Sequence, residues 1–351
     1  VPVGIHAKGT NTITLNGSAD GYALDVTASG GNSHGVYTEY LYNRDANNTI
    51  TNLGDGDIRI QAGYERLPDG TIQKGAARGE SYGIDNAATT LVDAGGRNMQ
   101  VNAAGANYVN GFYSVGGTLT VRNANLLEIQ ADGEHHTGRI NIGTYTGTYG
   151  VQSYSGGKVV IDDVKDVRVG VNTAQTGPDA AYYSAAFAST YGRGDIFVNT
   201  ETQQANEIRA VVEGDSLITT GMWLNGNAGN LSRIQVGGDA TTLIDFKITG
   251  TADESGPKSA LSSLNFNNIA AGMYGETHSM GDAADPASYN LAKADRVVFT
   301  VEGRNQTHAA GMWANTDAKN RIEAGEVEFN VSSTGAGAAH GMYAGTYVSY
   351  V

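Results

Sequence analysis

Short apolar segments recur along this chain of 351 residues and are separated by glycine, asparagine and aspartate. The most regular of them place apolar residues at alternate positions, which predicts a β-strand with one buried face. Such segments are Ile58 and Ile60; Leu127 and Ile129; Val167, Val169 and Val171; Ile244, Phe246 and Ile248; Val297, Phe299 and Val301; and Val327, Phe329 and Val331. Turn residues between β-branched segments favour many short strands over helices.

A glycine followed by an apolar residue, and usually by an aromatic one, marks the start of a repeat. The instances are Gly4-Ile5-His6, Gly35-Val36-Tyr37, Gly83-Ile84-Asp85, Gly111-Phe112-Tyr113, Gly150-Val151-Gln152, Gly221-Met222-Trp223, Gly272-Met273-Tyr274, Gly311-Met312-Trp313 and Gly341-Met342-Tyr343. A degenerate member, Ala186-Phe187-Ala188, lies midway between Gly150 and Gly221. A second short element follows each opening, as in Asn11-Thr12-Ile13, and an alternating segment closes the unit.

Each repeat therefore predicts three short strands, which is one coil of a three-sided parallel β-helix. A single coil cannot bury its apolar side, so coils must stack around a continuous core. We predict an all-β fold, a right-handed parallel β-helix (solenoid) of about nine or ten three-strand coils, the hand following from the strong preference of parallel crossovers. With a spacing of about 4.8 Å per coil, the rod would be roughly 45 Å long.

Residues 1–351 are expected to form one β-helix segment. Gly341 opens a unit that the chain does not complete, so we expect further coils to follow it. Two polar stretches with turn residues, 63–81 and 251–268, interrupt the repeat and are expected to project as loop insertions.

The aromatic residues supply the candidate ligand-binding positions. Tyr40 and Tyr42 form part of an alternating tyrosine run, and Tyr64 and Arg66 lie in the first insertion. Tyrosine on an outward face stacks on sugars or buries area against a protein. The tryptophans of the repeat openings are expected to be structural.

Charge and composition exclude several classes of function. The chain has 22 Lys and Arg against 36 Asp and Glu, a formal net charge of -14, which disfavours nucleic acid as a partner. No apolar stretch reaches about 18 residues, so this segment is not expected to insert into a membrane as a helix. The absence of cysteine removes disulfides, thiolate metal sites and thiol nucleophiles.

The Gly-Met-Tyr and Gly-Met-Trp openings, the Asn-x-Ile second elements, the alternating closing segments and the acidic, cysteine-free composition resemble the passenger regions of Gram-negative autotransporters (type V secretion). The resemblance covers essentially the whole chain, and it is architectural. It implies export across the outer membrane to the cell surface, and commonly adhesion, self-association or biofilm formation. It assigns no active-site residues to this sequence.

Parallel β-helices also include enzymes that act on acidic polysaccharides, so the acidic and histidine residues are candidate catalytic or metal-binding residues. The acidic segments 162–163, 315–317 and 321–323 lack the order and spacing of a hydrolase site. The segment 54–57 (Gly-Asp-Gly-Asp) is better explained as a turn than as a calcium loop. The histidine pair at 135–136 would point to opposite faces of a strand. We therefore expect no catalytic residues, no metal site and no cofactor.

The sequence is compatible with three functional hypotheses. The first is a non-enzymatic surface adhesin that binds a host or bacterial surface glycan or protein, or that self-associates. The second is a β-helical polysaccharide hydrolase or lyase, which would require a convergent acidic cleft. The third is a structural stalk of a larger surface protein.

Overall fold

The structure is a computed structural model that describes residues 2–18, 21–39, 46–75, 79–135, 147–175, 181–226, 230–252, 268–277, 288–305, 307–315 and 319–345. Over these ranges the regular secondary structure consists of strands. None of the residues described forms a helix of the length and apolarity needed to cross a bilayer.

The strands are, in chain order, β1 (Val3–Lys8), β2 (Asn11–Leu15), β3 (Tyr22–Ala28), β4 (Ser33–Glu39), β5 (Asn47–Asn52), β6 (Asp57–Ala62), β7 (Tyr64–Arg66), β8 (Ile72–Lys74), β9 (Ser81–Asn86), β10 (Thr89–Gly105), β11 (Tyr108–Val115), β12 (Thr118–His135), β13 (Gly147–Tyr154), β14 (Lys158–Gln175), β15 (Ala181–Thr190), β16 (Asp195–Val198), β17 (Asn206–Gly214), β18 (Ser216–Gly226), β19 (Arg233–Val236), β20 (Thr241–Gly250), β21 (Ile269–Thr277), β22 (Tyr289–Gly303), β23 (His308–Asn315), β24 (Asn320–Ser333) and β25 (Ala339–Gly345).

The repeat openings form one parallel sheet of ten described strands, in the order β1-β4-β9-β11-β13-β15-β18-β21-β23-β25. Its register reproduces the sequence repeat, because the apolar residue after each glycine pairs with its counterpart in the next coil. The degenerate unit follows the same rule: Phe187 pairs with Val151 on one side and Met222 on the other. The predicted all-β parallel β-helix is confirmed.

The second and third elements form two further parallel ladders that share strands. One runs β2-β5-β10-β12-β14-β16-β19-β22-β24, and the other runs β3-β6-β10-β12-β14-β17-β20-β22-β24. In the coils built on β10, β12, β14, β22 and β24, one long strand therefore supplies both elements. The corner predicted between those elements is a bend within a strand in these coils.

The core runs along the inside of all three ladders, and the glycine of each opening sets how closely they approach. A Cβ atom added to Gly221 would lie 2.5 Å from Cδ2 of Phe246 and 2.7 Å from the carbonyl oxygen of Gly272 in the next coil. Core side chains therefore pack directly on the glycine backbone. They form one column on the third-element ladder: Val26, Ile60, Val101, Ile129, Val169, Ala210, Phe246, Phe299 and Phe329.

The degenerate unit shows that the two sides of this contact change together. Ala186 stands where the other openings have glycine, and it is fully buried. In the same coil the facing column carries Ala210, between Val169 and Phe246. The added methyl group on one side therefore meets a smaller side chain on the other, which avoids overpacking at this contact.

This compensation predicts a reciprocal mutational effect. We expect Ala210→Phe to destabilise the protein by about 1–3 kcal/mol, because the ring would overlap the Ala186 methyl group. Adding Ala186→Gly should recover much of that loss by recreating the packing of Gly221 on Phe246. The urea midpoint followed by circular dichroism measures both effects, with Ala186→Gly alone as the control, for which a loss of about 0.5–1 kcal/mol is expected. A double variant no more stable than Ala210→Phe would contradict this account.

Candidate functional site

The first insertion forms a short antiparallel hairpin, β7–β8, in which Tyr64 pairs with Lys74 and Arg66 with Ile72. Asp69 stabilises its turn by accepting a hydrogen bond from the backbone N–H of Thr71 at 2.9 Å. The hairpin does not extend freely into solvent. It lies against the outer face of the third-element ladder, where two carboxylates hold it.

Asp25 and Asp132 are these two anchors. Asp25 on β3 accepts hydrogen bonds from Arg59 at 2.7 and 3.0 Å and from Arg66 at 2.5 Å. Asp132 on β12 lies 3.0 Å from Nζ of Lys74 and accepts a 3.4 Å hydrogen bond from the Tyr64 hydroxyl. Arg66, a predicted ligand-binding residue, is therefore engaged in attaching the hairpin to the rod.

The ionisation of these groups favours the attached hairpin. Burial raises the pKa of Asp25, but the hydrogen bonds from Arg59 and Arg66 outweigh it, so the pKa lies below its ordinary value. Burial and the nearby Asp132 carboxylate raise the pKa of Tyr64 well above its usual range. The Tyr64 hydroxyl therefore stays protonated and able to donate to Asp132.

Tyr64 borders a surface groove of about 490 Å³ on the outer face of the third-element ladder. Its floor has two rows of side chains, because outward positions alternate with the core residues along each strand. The first row is Gln100, Glu128, Arg168 and Arg209, and the second is Asn102, Gln130, Gly170 and Val211. Consecutive members of a row belong to adjacent coils, so they are spaced by about 4.8 Å.

Several polar groups of the floor are not used by the fold. Asn102 is only 8 % exposed, and neither its side chain nor that of Gln100 or Glu128 has a hydrogen-bond or ion-pair partner among the residues described. Their side-chain oxygen and nitrogen atoms are not among the fully buried unpartnered atoms, so they reach the surface of the groove, where a ligand or water can bond to them. Gln130, by contrast, donates to Asp132 at 3.0 Å.

Gly170 determines the depth of the groove. A Cβ atom added there would collide with the side-chain amide of Gln130. That amide therefore lies across the glycine, in space that a larger residue would fill. The arrangement offers hydrogen-bond donors and acceptors beside one aromatic ring, a combination suited to a polyhydroxylated ligand.

The other predicted binding residues, Tyr40 and Tyr42, lie outside the described residues. So does most of the second insertion, 251–268. At its described ends, the Asn268 side chain donates to the carbonyl oxygen of Ala252 at 3.1 Å, so the chain leaves and rejoins the rod at one point.

The aromatic residues of the openings lie on the face of the first sheet opposite the core. Trp223 stacks on Tyr183 with ring centroids 4.0 Å apart, and Trp313 stacks on Tyr343 at the same distance. Trp223 and Trp313 are 0 % and 2 % exposed, respectively. The expectation that these tryptophans are structural agrees with their burial.

Some of the acidic residues considered as catalytic or calcium ligands have structural roles. Asp55 is paired with Arg97, and Asp57 accepts a 3.0 Å hydrogen bond from the backbone N–H of Asn98. Asp163 has φ of 53° and occupies a bend within β14. Among the described residues, no group of three or more His, Cys, Asp and Glu is arranged to hold a metal ion.

The anchoring of the hairpin should depend on pH. The pKa of Asp25 is lowered in the folded protein, so its contribution to holding the hairpin on the rod is complete above the ordinary carboxyl pKa of about 3.9. That contribution is lost as the pH falls through the pKa of Asp25 in the folded protein. We expect amide hydrogen exchange in β7 and β8, corrected for intrinsic rates, to accelerate below about pH 4. Asp25→Asn should produce the same acceleration at pH 7.

Glu328→Gln is the matched control for that experiment, since it removes an exposed partner of Arg296 far from the hairpin. It should leave exchange in β7 and β8 unchanged. Equal protection in wild type and Asp25→Asn would show that Asp25 does not hold the hairpin.

Comparison with known proteins does not identify a family for this chain. No family model, no curated protein and no solved structure matches this chain. The residues of the groove are therefore the basis on which a function is proposed.

Proposed function

We propose that this chain is the binding segment of an exported bacterial surface protein, an adhesin-like passenger that attaches to glycans through the groove under Tyr64. The observation that carries the proposal is the floor of that groove, where Gln100, Asn102 and Glu128 present polar groups that the fold leaves without partners. The amides of Gln100 and Asn102 and the carboxylate of Glu128 are suited to hydrogen bonds with sugar hydroxyls. A tyrosine ring is suited to the apolar face of a sugar.

The position of the groove also suits adhesion. It lies on the outer side of the rod, across β10, β12, β14 and β17, and is open to a polymer lying along the axis. A single site of this kind binds weakly because few side chains contribute. Many copies on a cell surface would bind strongly through their combined valency.

The alternative of a polysaccharide hydrolase has less support at this site. Glu128 lines the groove and Asp132 binds the Tyr64 hydroxyl, but these two residues lie four positions apart on β12, which separates their Cα atoms by about 13 Å. Side chains on one face of a strand stand roughly parallel, so the two carboxyl groups are expected about as far apart as their Cα atoms. The carboxyl groups of a hydrolytic pair are only about 5–9.5 Å apart. Asp132 is also engaged by Lys74 and Gln130.

Glycan binding should depend on the Tyr64 ring more than on its hydroxyl. On an array of host and bacterial glycans, we expect Tyr64→Ala to weaken binding of any recognised glycan at least about tenfold, the equivalent of about 1.4 kcal/mol. Tyr64→Phe should keep most of the affinity. Gly170→Leu should block binding by filling the groove, at little cost to folding because it displaces a flexible side chain.

Tyr191→Ala is the matched control, because Tyr191 is an exposed tyrosine, 44 % accessible, outside the groove. It should bind as the wild type does, and circular dichroism should show the same fold for all variants. Binding that survives both Tyr64→Ala and Gly170→Leu would place the ligand elsewhere. Turnover of an acidic polysaccharide by the wild type would favour the enzymatic alternative.

A further inference from the structure

We infer that the ligand of this groove is an acidic sugar, held with a ring under Tyr64 and its acid group over Arg168 and Arg209. The inference rests on the proposed function and specifies its ligand class. It comes from the way charge is distributed along the groove floor.

Two arginines stand side by side at one end of the floor. Arg168 and Arg209 are register partners on adjacent parallel strands, and both side chains are more than one-third exposed. Like charges directly opposite each other destabilise a sheet, so this pair of arginines does not serve the fold. It is also a local positive charge on a chain whose net charge is -14. The guanidinium groups present planar forks of donors that match a carboxylate or sulfate.

The protein itself neutralises this pair only in part. Arg209 forms an ion pair with Glu207, whereas the nearest carboxylate oxygen to Arg168 belongs to Asp166 and is 4.0 Å away. Arg168 also has Glu128 directly opposite it in the register, yet no ion pair joins these two described side chains. Arg168 is therefore available to an anion from outside.

Glu128 fixes the direction in which an acidic sugar would lie. Its carboxylate would repel an acid group in the middle of the floor and would accept hydrogen bonds from hydroxyls there. Asn102, more than nine-tenths buried and without a partner, adds a donor and an acceptor at the same level as Gln100. The neutral part of the ligand therefore belongs over β10 and β12, and the acid group over β14 and β17.

The dimensions of the floor agree with an oligosaccharide. From β10 to β17 it covers three strand spacings, about 14 Å. Tyr64 stands at the β10 and β12 end, where its hydroxyl reaches Asp132. A short sugar chain is long enough to contact the ring at one end and the arginines at the other.

The test compares acidic sugars with matched neutral or less acidic ones. The probes are tri-galacturonate and its methyl ester, sialyllactose and lactose, and a chondroitin sulfate tetrasaccharide and its unsulfated form, each titrated by calorimetry. For at least one pair we expect the wild type to bind the more acidic member about tenfold or more tightly, with an affinity that falls as salt rises. Arg168→Gln combined with Arg209→Gln should abolish that preference and leave the weaker binding of the other member unchanged.

Arg122→Gln is the control, since Arg122 is also an exposed arginine on β12 but is paired with Asp93 outside the groove. It should keep the preference. Equal affinity for both members of every pair, with Tyr64 still required, would overturn the acidic-ligand inference and leave the proposed function standing. No binding of any of the six probes would overturn the inference, and binding to neutral glycans on the array would then decide the proposed function separately.

A tri-glutamate peptide distinguishes a sugar from another acidic chain. It should bind weakly, because it has neither hydroxyls for Asn102 and Glu128 nor a ring face for Tyr64. Binding of this peptide as tight as that of the best sugar, and insensitive to Tyr64→Ala, would overturn the assignment to a sugar.

Discussion

The close packing of core side chains on the glycine of each opening is the constraint on which the rest of the molecule depends. At Gly221 there is no room for a Cβ atom between Phe246 and the backbone of the next coil. This contact fixes the distance between the first sheet and the third-element ladder. Because it is repeated in almost every coil, the ladders stay in register, and the outward residues of successive coils fall into straight rows. The groove floor consists of two of these rows.

The architecture could be predicted from the sequence because its determinants are local. Glycine followed by an apolar residue marks the opening, and alternation marks the closing strand, so that even Phe187 in the degenerate unit was assigned to its correct place. The continuity of β12 and β14 through a corner was not predicted. Asn123 and Asp163 are turn residues by type, and in these coils they bend a strand, with φ of 56° and 53°, without ending it.

The site could be predicted only in part. Tyr64 was singled out by its position in an insertion, and it borders the groove, but its partner Arg66 serves to attach the hairpin. The floor was missed, although a signal existed: outward positions such as Gln100 and Glu128 alternate with the core residues that were recognised. Which of them become neighbours depends on the register between coils distant in sequence. The docking of the hairpin likewise depends on Asp25 and Asp132, which belong to other coils.

The rows of the groove floor also have a mechanical consequence. Main-chain hydrogen bonds in parallel ladders run from strand to strand, along the axis of the rod, so a pull on its two ends loads the coils in series. The floor is made by β10, β12, β14 and β17, which belong to four successive coils. A ligand bound along it would tie these coils together by contacts outside the ladders. Under tension, the occupied stretch would peel apart later than the coils on either side of it.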